Sequence, residues 1–146
     1  MTQLTRRRDK DNSREGWLVY FGDVRVGHIS QRAGAPPQAP QWQWRCGFYP
    51  GCDPGQSTTG TGDTFEEARA DFEMAWQQLA ATRTEEHYEL WRSCRDSTAW
   101  KYRMHDEGLP LPTQRSDGTA RCFCGEAITI KTMDEHIRAA HRGVVE

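Results

Sequence analysis

The chain has 146 residues with 19 basic and 21 acidic side chains, a formal net charge of −2, and 36% hydrophobic and 27% charged residues. That balance suits one modest globular domain with a small appendage, and no run approaches the ~20 consecutive apolar residues of a membrane-spanning helix. The five cysteines are an odd number without disulfide-scaffold spacing, and no apolar segment follows the Arg-rich N-terminal residues, so the sequence predicts a reduced, cytoplasmic protein with no membrane partner.

Residues 1–16 carry five basic and three acidic side chains and are expected to form a disordered basic tail. The domain then predicted over 17–108 opens with Trp17–Phe21 and Val24–Ile29 on either side of Gly22-Asp23, the pattern of a tight β-hairpin. Simple pairing would set Phe21 opposite Val24, Val19 opposite Val26 and Trp17 opposite His28, which predicts His28 as a hydrogen-bonded imidazole on the covered face. Alternation in Gln41–Tyr49 places Trp42, Trp44, Cys46 and Phe48 on one side of a third strand. A short fourth strand is expected around Ser57–Thr61. The glycines nearby do not make a phosphate loop, because no Lys follows them and Asp63 would oppose a phosphate.

Thr64-Phe-Glu-Glu67 reads as a capping box. It opens a helix whose apolar residues Phe65, Ala68, Phe72, Ala75, Trp76 and Leu79 recur at helical spacing and should cover the sheet. A further helical stretch from about Thr84 carries Tyr88, Trp91 and Cys94 on one face, then Trp100 and Met104, as one bent helix or two. Cys94 reads as buried packing. His87 and Cys94, seven residues apart, are about 10 Å apart along a helix axis, too far for a catalytic pair. Residues 109–118 read as a linker, semi-rigid at its Pro end. The fold class is therefore α+β: a three- or four-stranded antiparallel sheet packed by a long helix, a helical extension and a small C-terminal module over 119–146.

The module holds the densest chemistry. Cys122-Phe-Cys124, eleven residues, His136, four residues and His141 supply two sulfurs and two imidazoles, the donor set of a closed tetrahedral Zn²⁺ site. Thr132-Met-Asp-Glu135 has the form of a capping box, opening a helix expected over Met133–Arg142 with His136 and Ile137 on its inner face. Gly125 follows the second cysteine, and Gly143 supplies a helix stop. The segment is too short to fold on apolar burial alone, so metal binding would be coupled to its folding.

Three resemblances follow from these residues. The Cys122/Cys124/His136/His141 segment resembles the Cys-Cys-His-His zinc fingers, departing in its C-x-C pair and in an inner apolar spacing one residue short. Phe48-Tyr-Pro-Gly-Cys52 with Gly62-Asp-Thr-Phe-Glu-Glu-Ala68 makes residues 48–82 look like HicB-type antitoxins, which implies a β-β-β-α layer and an interaction module. Arg95-Asp-Ser-Thr-Ala-Trp-Lys-Tyr102, followed by the C-x-C-Gly knuckle, looks similar to small alphaproteobacterial proteins that carry no known activity.

Residues 63–107 carry six basic and eleven acidic side chains and the 115–146 stretch five of each, an unusual layout for a nucleic-acid binder. In the zinc-finger docking geometry the base-reading positions fall near Thr129, Thr132 and Glu135, and none is Arg, Asn or Gln. The expectation is a non-enzymatic binding protein with no small-molecule substrate and a structural zinc. Its partner is expected to be a protein, met by Ile130 and the strip around Arg138 and Arg142. The alternative is a small transcriptional or mobile-element regulator touching nucleic acid through the Arg-rich tail and the finger.

Overall fold

The computed structural model describes residues 4–143. It is α+β, as expected, and divides into two compact units, the first ending at Trp91 and the second beginning at Arg92. The division falls inside a single helix rather than in the 109–118 stretch.

The first unit is a five-stranded antiparallel sheet in sequence order: β1 (Leu4–Arg8), β2 (Gly16–Phe21), β3 (Val24–Gln31), β4 (Trp42–Cys46) and β5 (Thr58–Gly62). β1 corrects the expected disordered tail. Its arginines hold the strand down through their planar heads: the Arg6 guanidinium lies 4.7 Å from the ring centres of both Trp17 and Phe65, and Arg8 lies 5.8 Å from that of Trp17. Arginine can cover aromatic surface while its charge stays hydrated, so a basic run is compatible with an ordered edge strand.

The hairpin register also departs from simple pairing. Phe21 does face Val24, but a bulge at Val19/Tyr20 puts Val19 opposite Gly27 and Trp17 opposite Ile29. One residue of slip exchanges the two faces of a strand. His28 thus pairs with Leu18 and Arg45 and lies on the side away from the aromatic core, correcting its expected covered position.

Helix α1 (Phe65–Ala80) covers the opposite face. The Thr64 hydroxyl accepts from Glu67 N at 3.2 Å, while the Glu67 carboxylate accepts from Asp63 N at 3.0 Å, one residue before the position a strict capping box would use. Ala68, Phe72 and Trp76 of α1 share one buried core with Val19, Val26, Ile29, Trp42, Trp44, Cys46 and Phe48. Gly27 permits this packing: a Cβ there would stand 2.1 Å from the Arg45 carbonyl oxygen and 2.6 Å from the Phe72 ring. Burial, followed by the nearby Cys52, pushes the Cys46 thiol up to about 12, which keeps it protonated and inert as a core residue.

Helix α2 (Glu85–Asp106) is one continuous helix. Its start is capped by His87, whose Nδ1 accepts from Thr84 N at 2.8 Å. Tyr88 closes the first core by stacking on Phe48 at 5.5 Å. Cys94, expected to be buried, is exposed.

In the second unit, the remainder of α2 is followed by a 3₁₀ turn at Pro112–Gln114, the hairpin β6 (Thr119–Arg121) and β7 (Ala127–Thr129), and helix α3 (Met133–Ala140). Trp100 and Met104, both fully buried, join Ala120, Cys122, Ile128 and Ile137 in a second core, with Leu109 and Leu111 against it. Pro112 is also buried. The stretch read as a linker therefore packs as part of this unit, because its alternating Leu and Pro side chains have apolar surface to bury.

Replacing Gly27 by Ala would drive a methyl group into backbone and ring atoms that cannot both retreat. Gly27→Ala should lower the stability of the first unit by about 3 kcal/mol, the upper part of the overpacking range, read by chemical denaturation of the full chain.

Candidate metal centre

The second unit brings all four sequence-predicted ligands together. Cys122 and Cys124 sit in the knuckle between β6 and β7, His136 lies in α3, and His141 is the residue that ends α3. The knuckle is closed by backbone bonds from Cys122 N to Glu126 O at 2.9 Å and from Gly125 N to Cys122 O at 2.8 Å. Gly125 takes φ +96°, a conformation that L side chains rarely adopt, which lets the chain turn back directly after Cys124.

One donor atom from each residue lies within 4.8 Å of all the others. Cys122 Sγ is 3.4 Å from His141 Nε2, Cys124 Sγ is 3.5 Å from His136 Nε2, and the two Nε2 atoms are 3.2 Å apart. A tetrahedral ion held at ~2.3 Å from sulfur and ~2.0–2.1 Å from nitrogen would set S···N near ~3.6 Å and N···N near ~3.3 Å. These three separations are close to that polyhedron and the remaining ones lie within 4.8 Å, so the residues fit a metal ion. Among the described residues, no second grouping of this kind forms around Cys46 and Cys52.

The surrounding groups prepare the donors. His136 Nδ1 is 2.9 Å from the Glu126 carboxylate, which fixes the proton on Nδ1 and leaves the Nε2 lone pair for a metal. The Trp100 indole N–H, which can only donate, points at Cys122 Sγ from 3.3 Å. Burial pushes the Cys122 thiol up, and the hydrogen bonds from the Cys124 backbone and the Trp100 indole act in the opposite sense. Burial, then the neighbouring His136 imidazole and Arg103 guanidinium, hold His141 below its usual 6.5, toward the neutral form that a metal requires.

Sequence reasoning found the four ligands and missed Glu126 and Trp100. No spacing rule marks Glu126. Trp100 was readable as one side of a helix, but its placement over Cys122 depends on the fold. The expected cap at Thr132 is also different: its backbone is already helical, and its hydroxyl accepts from Thr129 N at 2.8 Å instead of capping α3. Of the expected contact strip, Ile130 is half exposed and Arg138 exposed, whereas Arg142 reaches the buried Asp96 carboxylate at 3.4 Å.

Compared with known proteins, the chain matches no family model, no curated protein and no solved structure. The likenesses to HicB-type antitoxins and to alphaproteobacterial proteins gain no support from these comparisons and transfer nothing to this chain.

Two outcomes follow from the geometry. Glu126→Gln should weaken metal binding about 10- to 100-fold, the usual effect of losing a ligand's carboxylate partner, measured by competition with a chromophoric chelator. The depressed His141 means that the unfolded chain takes up more protons as pH falls below 6.5. The stability of the second unit should therefore be complete above that pH and decline as pH falls below it, followed by the Trp100 indole N–H resonance in a denaturant titration.

Proposed function

We propose that this chain is a non-enzymatic binding protein whose second unit is held by a structural zinc ion on Cys122, Cys124, His136 and His141. The observation that carries this reading is the convergence of two sulfurs and two Nε2 atoms within 4.8 Å of one another, with both S···N contacts and the N···N contact near tetrahedral spacing. Two sulfurs with two nitrogens favour Zn²⁺ over harder ions, and four protein ligands leave no position for substrate. When bound, the zinc would cross-link the β6–β7 knuckle to the body and the C-terminal end of α3.

Protein recognition is the better-supported use of the module. The Thr129 and Thr132 hydroxyls, near two of the three base-reading positions, are 3.2 Å apart and engaged with each other. The first turn of α3 carries Asp134 and Glu135, which would meet a phosphate backbone with like charge. Ile130, half exposed in the turn before α3, offers an apolar contact for a protein partner instead.

Elemental analysis of untagged protein, with a Cys122→Ser/Cys124→Ser variant beside it, tests the metal. About one zinc per chain is expected, lost in the variant with loss of the second unit's fold. No metal in either protein, or metal retained by the variant, would overturn the reading. Ile130→Asp should keep the zinc and release any protein that co-purifies with the parent chain.

A further inference from the structure

The uncovered face of the first unit's sheet has a charge pattern that the linear sequence conceals. The five strands contain five arginines and no carboxylate. Strand alternation sends Arg6 and Arg8 toward the aromatic rings at the covered side, and Arg7, Arg25 and Arg45 to the other face. Register then aligns one row across all five strands: Arg7, Leu18, His28, Arg45 and Thr59. Ser30, Gln43 and Thr61 form the next row.

Over this face lies an open cavity of about 900 Å³, with Arg25, His28, Arg45 and Gln43 among its lining residues. The carboxylates that reach it, Asp9 and Asp53, come from flanking loops and not from the strands. Among the described residues, Arg25 and Arg45 have no ion-pair partner. Both positive charges act on His28 and, after its burial, hold its pKa below the usual value. Tyr49, among the cavity's lining residues, is 82% exposed, so its ring face is open to a ligand.

We propose that this sheet face binds single-stranded nucleic acid, with Arg7, Arg25 and Arg45 on successive phosphates and Tyr49 stacking a base. The row from Arg7 to Arg45 crosses three strand spacings, about 14 Å, a span that suits a polymer of phosphates better than one anion. Arginines carried on the strands beside an exposed aromatic ring, with the two carboxylates at the cavity's loop margins, are the pairing that holds single strands without sequence readout. The flat sheet offers no helix or ribbon to enter a duplex groove. The site lies wholly in the first unit and stands or falls independently of the zinc reading.

The test is fluorescence anisotropy of labelled single-stranded DNA and RNA 12-mers of mixed sequence with the full zinc-loaded chain. About three phosphate contacts predict an affinity loss of roughly 20-fold between 50 and 200 mM salt. Arg25→Gln/Arg45→Gln should reduce affinity more than tenfold and flatten that salt dependence. Tyr49→Ala should reduce affinity at least about fivefold with the salt dependence intact. All these side chains are at the surface, and a melting curve confirms that the variants fold. Lys101→Gln, exposed in the second unit, should leave binding unchanged. The proposal is overturned by absence of binding at 50 mM salt, by undiminished binding in the double-arginine variant, or by loss of binding in Arg6→Gln/Arg8→Gln alone, which would move the contact to the N-terminal edge. Equal competition by millimolar phosphate or a mononucleotide would also overturn it, in favour of a small-anion site.

Discussion

Everything in the second unit follows from the need to bring two sulfurs and two imidazole nitrogens to one point in a segment too small to bury a core of its own. The knuckle solves half of the problem with a tight turn closed by backbone bonds around both cysteines and reversed by the left-handed Gly125 directly after Cys124. Helix α3 solves the other half by placing one imidazole in its body and the second at the residue that ends it. What the hairpin and helix lack in apolar mass is lent by α2, whose Trp100 and Met104 are fully buried against Cys122, Ile128 and Ile137. Burying two such side chains contributes roughly 1.5–3 kcal/mol each. That contribution accounts for an arrangement that tolerates a short knuckle and a shortened apolar spacing.

Trp100 joins the two requirements. Its ring fills the core while its N–H donates to the Cys122 sulfur, so apolar packing and donor orientation are set by one side chain. The buried Asp96 carboxylate plays a comparable part at the other end of the unit, where it accepts from Gly143 N at 3.1 Å and lies 3.4 Å from the Arg142 guanidinium. A buried carboxylate is costly unless its oxygens are satisfied. Here they are satisfied by Arg95 at 2.9 Å and by the chain that leaves α3, which ties the segment after His141 to α2.

The fold class and the four ligands were legible because they depend on local signals: period-two alternation in β4, helical spacing in α1, and sulfur and imidazole at metal-ligand spacing. The errors share one physical cause, which is that each feature was decided by a partner distant in sequence. Arg6 and Arg8 read as tail because their aromatic partners lie at Trp17 and Phe65. His28 read as core because simple hairpin pairing does not register a bulge, and the bulge is accommodated by Gly27 beneath Phe72. Leu109–Pro112 read as linker because its binding surface is supplied by the second core. Cys94 shares a helical stripe with Tyr88 and Trp91 and is nevertheless exposed.

Charge shows the same dependence. Summed along the chain, acidic α1 and α2 outweigh the arginines and argue against a polyanionic partner. In three dimensions the carboxylates of the first unit belong to helices and loops, whereas its strands carry arginine alone. Electrostatic attraction acts over about a Debye length, ~8 Å at physiological salt, so a ligand on the open sheet responds to that face before it responds to the net charge. Antiparallel pairing converts arginines 18 to 38 positions apart in sequence into a single patch, and helix α1 carries Glu66, Glu67, Asp71 and Glu73 on the opposite side of the sheet. A protein with a slightly negative total charge can therefore present a positive surface wherever its secondary structure separates the two signs.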